Sequence, residues 1–105
     1  MSLKIQETFD EKSNELILSP IGEIDIYTSE QFKKTLLDNI SKVKDRIIVD
    51  CESLEFIDST GLGALVSVLK DSQENNKEIV LRKVKPNIKK LLFLTKLDEV
   101  FKIED

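Results

Sequence analysis

The stretch FIDSTGLG, Phe56 to Gly63, sets an acid and two hydroxyls directly before two glycines and a long apolar run. Two chemistries are open to it. Asp, Ser and Thr are preferred helix N-caps, because a side-chain oxygen accepts from the unpaired N–H groups of a first turn. A hydroxyl left over from capping is free to react or to be modified. If Asp58 is the cap, Ser59 takes the first helical position with its hydroxyl facing solvent. A helix N-terminus favours an added anion there by roughly 0.3–1 kcal/mol. Ser59 is then a place where phosphate can be accepted without unfolding the domain. Thr60 lies one step further in, where its side chain can bond back to the local backbone.

Nucleophilic catalysis is the sharper alternative, and the residues oppose it. The chain has no histidine, which removes Ser-His-Asp and Cys-His nucleophiles and histidine-ligated metals. No Ser-x-x-Lys spacing surrounds Ser59, because Leu62 holds the lysine position. The glycines match neither the phosphate-loop nor the dinucleotide-binding pattern. They serve a plainer purpose, letting the helix approach a sheet at Gly61 and Gly63. Asp25 and Asp58 could form a carboxylate pair, but Asp25 adjoins a helix start near Thr28, where a cap is the simpler reading. The single cysteine, Cys51, follows the apolar run Ile47 to Val49 and reads as a small buried thiol. The residues offer no complete nucleophilic set.

The chain of 105 residues fits one domain, 1–105, large enough to bury a core. Its net charge of −4 argues against nucleic acid or an anionic membrane as a direct partner. The one basic cluster, Arg82-Lys83-Val84-Lys85 with Lys89-Lys90, is broken by apolar residues and reads as a solvated helix edge. The N-terminus MSLKIQETF has no apolar targeting core, and no stretch reaches membrane-spanning length. A soluble cytoplasmic domain is the expectation.

The elements that position these residues follow from periodicity. Leu3, Ile5 and Phe9 alternate with polar residues as in a strand, and a second strand runs from Glu15 towards Ile24, with Pro20 marking a bulge or an unpaired edge. Thr28 and Gln31 have capping-box spacing before Phe32, Leu36, Ile40 and Val43. Arg46 to Asp50 is a short apolar run suited to a strand covered on both faces. A helix from about Thr60 to Glu74 carries Leu62, Leu65, Val66 and Leu69 in one stripe. Glu78 to Arg82 is a strand, Pro86 opens a third helix, and Val100 to Ile103 closes the chain as a short strand. The order β-β-α-β-α-β-α-(β) predicts an α/β fold with a mixed, mainly parallel sheet of four to five strands and helices packed against it. Its strand-to-helix loops share one rim. That rim should gather Asp25, Asp58, Ser59 and Lys83 or Lys85.

GEIDIYTSEQF, followed by RIIVDCESLEFIDSTGLGALVSVLK, resembles the STAS domain of bacterial anti-sigma factor antagonists. The Gly-Glu-Ile-Asp of residues 22–25 and the Asp-Ser-Thr-Gly-Leu-Gly of 58–63 match the family's two signature segments in register. VKPNIKKLLFLTKLDEVFKI extends the likeness, which spans residues 5 to 103. The resemblance implies a partner-switching protein, not an enzyme, with no catalytic residues, metal or cofactor of its own, and a monomer when free. Ser59 would be phosphorylated by an anti-sigma factor that is itself a serine kinase. The unphosphorylated form would bind that kinase and free the sigma factor, and a serine phosphatase would restore it. Asp25, Asp58, Ser59, Thr60, Gly61 and Leu62 would form the partner-binding surface. Two other readings stand beside it: a STAS subunit of a lipid-transport or signalling complex without phosphorylation, and a nucleotide-binding STAS domain that uses the same rim.

Overall fold

The computed structural model describes residues 2–105. Strands β1 (Leu3–Asp10) and β2 (Glu15–Ile24) form a hairpin, followed by helix α1 (Ser29–Ile40) and strand β3 (Arg46–Asp50). A short strand β4 (Leu54–Ile57) precedes helix α2 (Ser59–Glu74), strand β5 (Glu78–Arg82) and helix α3 (Pro86–Leu94). A 3-10 turn (Leu97–Glu99) leads into strand β6 (Lys102–Glu104).

The sheet order is β1-β2-β3-β5-β6, with β1 antiparallel to β2 and the remaining pairings parallel. Each parallel crossover therefore steps across the sheet in the same direction. Right-handed crossovers of that kind place α1, α2 and α3 on one face. The core lies there: Phe32, Leu36 and Ile40 of α1, Leu65, Val68 and Leu69 of α2, and Ile88 and Leu92 of α3 meet Ile47, Val49, Ile79 and Leu81 of the sheet.

The second face of the sheet has no helical layer, contrary to what the apolar run of β3 implied. Ile48 and Val80, side by side in register, are nonetheless fully buried on it. Charged side chains on the flanking rows account for this. Arg46 pairs with Glu15 and Glu78 on one side, and Arg82 pairs with Glu104 on the other. Their aliphatic stems cover apolar surface while their heads stay in water.

Strand β4 is the element that periodicity missed, and it brings the sheet to six strands. Only Leu54 and Ile57 of LEFI are buried, too short a pattern to distinguish from a loop. Long-range pairing creates it. The ten-residue β2 holds β3 at Ile17 and Leu18, then holds β4 at Gly22 to Ile24. Pro20 sits in the interval between these partners, where its missing N–H costs no bond to either. Gly22 lies at the register shift with φ of +117°, and a Cβ there would meet Ser2 O at 2.4 Å.

Candidate functional site

Pairing of β4 with β2 sets the start of α2 beside the end of β2. The Asp58 N–H donates to Ile24 O (3.1 Å), and the Asp58 carbonyl accepts from the Leu62 N–H (2.9 Å). Asp58 has extended backbone, and its Oδ1 accepts from the Gly61 N–H at 2.9 Å. It is the expected N-cap. Ser59 therefore occupies the first helical position, and both Ser59 and Thr60 are exposed. Among the described residues neither hydroxyl has a hydrogen-bond partner, so Thr60 does not make the expected bond back to the backbone.

The two glycines of the motif differ in their work. A Cβ on Gly61 would lie 2.5 Å from Ile57 Cγ1 and 2.7 Å from Ile24 O, so only glycine lets the helix sit this close to the sheet. Gly63 has nothing within 4 Å of such a Cβ and faces solvent, contrary to the expectation that it serves close packing. It lies one turn after Ser59 on the same helical face, and the exposed Val66 follows it.

The neighbouring loop is locked by its own polar groups. Asp25 Oδ1 accepts from the N–H groups of Tyr27 (2.9 Å) and Thr28 (3.1 Å). Thr28 Oγ1 accepts from the Asp25 N–H (2.9 Å) and donates to Glu23 O (2.8 Å). The capping box expected from Thr28 and Gln31 does not form. Gln31 instead reaches the β1 edge, donating to Leu3 O at 3.1 Å. Asp25 Oδ2 is buried and has no partner among the described residues.

Burial therefore redistributes the expected partner surface. Asp25, Gly61 and Leu62 are buried and act beneath it, by shaping the loop, admitting the helix and filling the core respectively. Ser59 and Thr60 are at the surface, with Asp58 half-buried. Composition overlooked Ile26 and Tyr27, which are 66% and 83% exposed at the tip of the locked loop. Their signal was present in the chain: two large apolar side chains inside a turn have no core to enter.

The cations of the β5–α3 loop, the third strand-to-helix loop, are on the expected rim but are neutralised there. Lys83 pairs with Glu52 at 3.1 Å and Lys85 with Glu55 at 3.5 Å, both acids flanking β4 or lying on it. Arg82 and Lys89 pair with Glu104 and Asp105. Cys51 is buried, and desolvation, with Asp50 adding to it, pushes its pKa up to about 12. That thiol is not a nucleophile at neutral pH. Among the described residues no three Cys, Asp or Glu side chains are grouped as metal ligands, and no helix is long and apolar enough to cross a membrane.

The model of the STAS domain family matches residues 6–105. The chain belongs to the STAS domain family. It is 30% identical over 105 residues to the anti-sigma-B factor antagonist of Staphylococcus aureus, covering 100% of this chain and 95% of that one. A Thermotoga maritima crystal structure, described as a candidate anti-sigma factor antagonist, superposes with a TM-score of 0.85 at 28% identity, covering 96% of this chain and 86% of that one. SpoIIAA, a Bacillus cell fate determinant, shares the fold in its phosphorylated form, with a TM-score of 0.69 at 18% identity over 97% of this chain and 90% of that one.

Proposed function

We propose that this STAS domain is an anti-sigma factor antagonist that switches partners through phosphorylation of Ser59. The observation that carries the reading is the division of labour at the start of α2. Asp58 uses its carboxylate for capping, and Ser59 keeps an exposed hydroxyl with no partner among the described residues. The partner is an anti-sigma factor with serine kinase activity, which supplies the nucleotide and the base; this chain supplies only the acceptor. A serine phosphatase resets it.

The binding surface combines Ser59, Thr60 and the bare backbone at Gly63 with Ile26 and Tyr27. Large apolar side chains on a preorganised loop lose little freedom on docking, which suits them as anchors. A phosphate adds about −1.5 to −2 charges near pH 7. Within a buried contact it imposes desolvation and like-charge repulsion, which together cost several kcal/mol. The switch thus acts on the interface and leaves the fold in place.

Calorimetric titration of the cognate anti-sigma kinase, with nucleotide present, tests this. Phosphorylated protein is expected to bind about a hundredfold or more weakly than unmodified protein. Ser59→Ala should bind normally and resist phosphorylation, and Ser59→Asp should bind poorly. Equal affinity of the phosphorylated and unmodified forms, or phosphate mapped to Thr60, overturns the reading in favour of a non-phosphorylated STAS subunit.

A further inference from the structure

At the end of the sheet opposite Ser59, where β2 and β3 begin, a groove of about 690 Å³ separates the β1–β2 turn from the segment joining α1 to β3. Its volume is that of a small-molecule site. Its walls are of two kinds. Phe9, Leu16 and Val43 provide apolar surface, and Lys42, Lys44 and Arg46 provide cations. Arg46 is committed to Glu15 and Glu78, whereas Lys42 and Lys44 form no ion pair among the described residues. Asp45 is the remaining acid of the lining, so the mouth is cationic on balance on a chain whose net charge is −4.

Asn39 shows that the groove is more than a dent. It is only 5% exposed, yet it lines the groove. Its Nδ2 donates to Thr35 O at 2.8 Å, which fixes the amide orientation and leaves Oδ1 as an acceptor. No donor of the described residues pairs with Oδ1, and Oδ1 is not among the fully enclosed unpaired atoms. An acceptor on a buried side chain that lines the groove is unsatisfied unless water or a ligand donates to it.

We propose that this groove binds a small aromatic anion carrying a hydrogen-bond donor. The rings lie against Phe9, Leu16 and Val43, the donor meets Asn39 Oδ1, and the anion meets Lys42 and Lys44. The site is independent of the Ser59 switch. The ten residues of β2 separate the two by roughly 30 Å.

The probe is 8-anilinonaphthalene-1-sulfonate, which joins an N–H donor, fused rings and a sulfonate. N-phenyl-1-naphthylamine keeps the N–H and the rings but has no charge. Fluorescence titration of the full chain, with amide chemical shifts to map the contact, should show saturable one-to-one binding of the sulfonate at Phe9, Asn39 and Val43. Phe9→Ala, at a position 55% exposed, should weaken it about tenfold or more. Lys42→Ala with Lys44→Ala should weaken the sulfonate about three- to tenfold and leave the neutral amine unchanged. Absence of saturable binding, or shifts centred on Ile26 and Tyr27 or on the exposed Phe93 and Leu94, overturns the site. Equal affinity for the two probes overturns its anion preference. A sulfonate affinity unaltered by Phe9→Ala overturns the assigned pose.

Discussion

The starts of α1 and α2 use the same residue types to opposite ends. Each places an aspartate just before a hydroxyl-bearing helix start, and the Asp58–Ile24 hydrogen bond ties the two loops together. At α1 the chemistry is consumed internally. Asp25 and Thr28 are both 5% exposed, and the Thr28 hydroxyl both accepts and donates within the loop. At α2 the Asp58 carboxylate takes the capping work, and the next hydroxyl is left exposed. A hydroxyl stays available when a neighbour has already satisfied the backbone. Sequence motif alone does not separate the two cases, but burial does.

The strongest way to break the contrast is to push α2 off the sheet. Gly61→Ala would drive a Cβ against the Ile24 carbonyl, which cannot yield as a side chain end can. The expected loss is about 2–3 kcal/mol, read by urea denaturation. Gly63→Ala, two residues on and in open space, should instead gain about 0.5–1 kcal/mol from helix propensity. If Gly63→Ala stabilises the domain but weakens kinase binding, bare backbone at Gly63 is part of the contact surface.

Removing the hydroxyl at each helix start comes next. Thr28→Val keeps the shape and strips partners from the Asp25 N–H and Glu23 O, for an expected cost of about 2 kcal/mol. Ser59→Ala should change stability by about 0.5 kcal/mol or less, because that hydroxyl is exposed and has no partner among the described residues. Similar costs for the two variants would show that Ser59 has a structural partner.

The sealed nucleophile sharpens the comparison with the open one. Cys51 titrates at about 12 in the fold, against an ordinary value of 9.0. Its raised pKa favours the neutral thiol, so its contribution is fully present below pH 9. That contribution is lost between pH 9 and about 12, at about 1.4 kcal/mol per pH unit. Cys51→Ala should remove this part of the alkaline slope, as measured by denaturation from pH 8 to 10.5. An unchanged slope would place the alkaline loss on other groups.

The last contrast concerns the cap itself. Asp58→Ala should cost about 1 kcal/mol, and Asp58→Asn should recover most of it. The more telling readout is phosphorylation. With Asp58 gone, the Gly61 N–H is free to draw the Ser59 hydroxyl into capping, and transfer to Ser59 should slow. Unaltered phosphorylation kinetics in Asp58→Ala would separate the cap from acceptor availability.

Much of this protein was decided locally. The N-cap role of Asp58, the helical position of Ser59, the hairpin, and the order of strands and helices follow from spacing and residue type. Turn donors, periodicity and β-branching act over a few residues, so a linear reading reaches them. The likeness to STAS antagonists was legible for the same reason, since both signature segments are contiguous. What required the tertiary structure is everything settled by residues far apart in the chain. LEFI becomes a strand because β2 is long enough to pair with it after β3 ends. Thr28 and Gln31 abandon a capping box because Glu23 O and Leu3 O offer partners from elsewhere. Asp25, Gly61 and Leu62 are buried while Ile26 and Tyr27 are not, because only folding decides which side of a loop meets the core. Likewise, the lysines of the third loop lie beside Glu52 and Glu55 only once β4 has carried those acids to the same rim. Charge and hydroxyl content are properties of the chain, but availability of either belongs to the packed structure, because burial and pairing are set by contacts between distant segments.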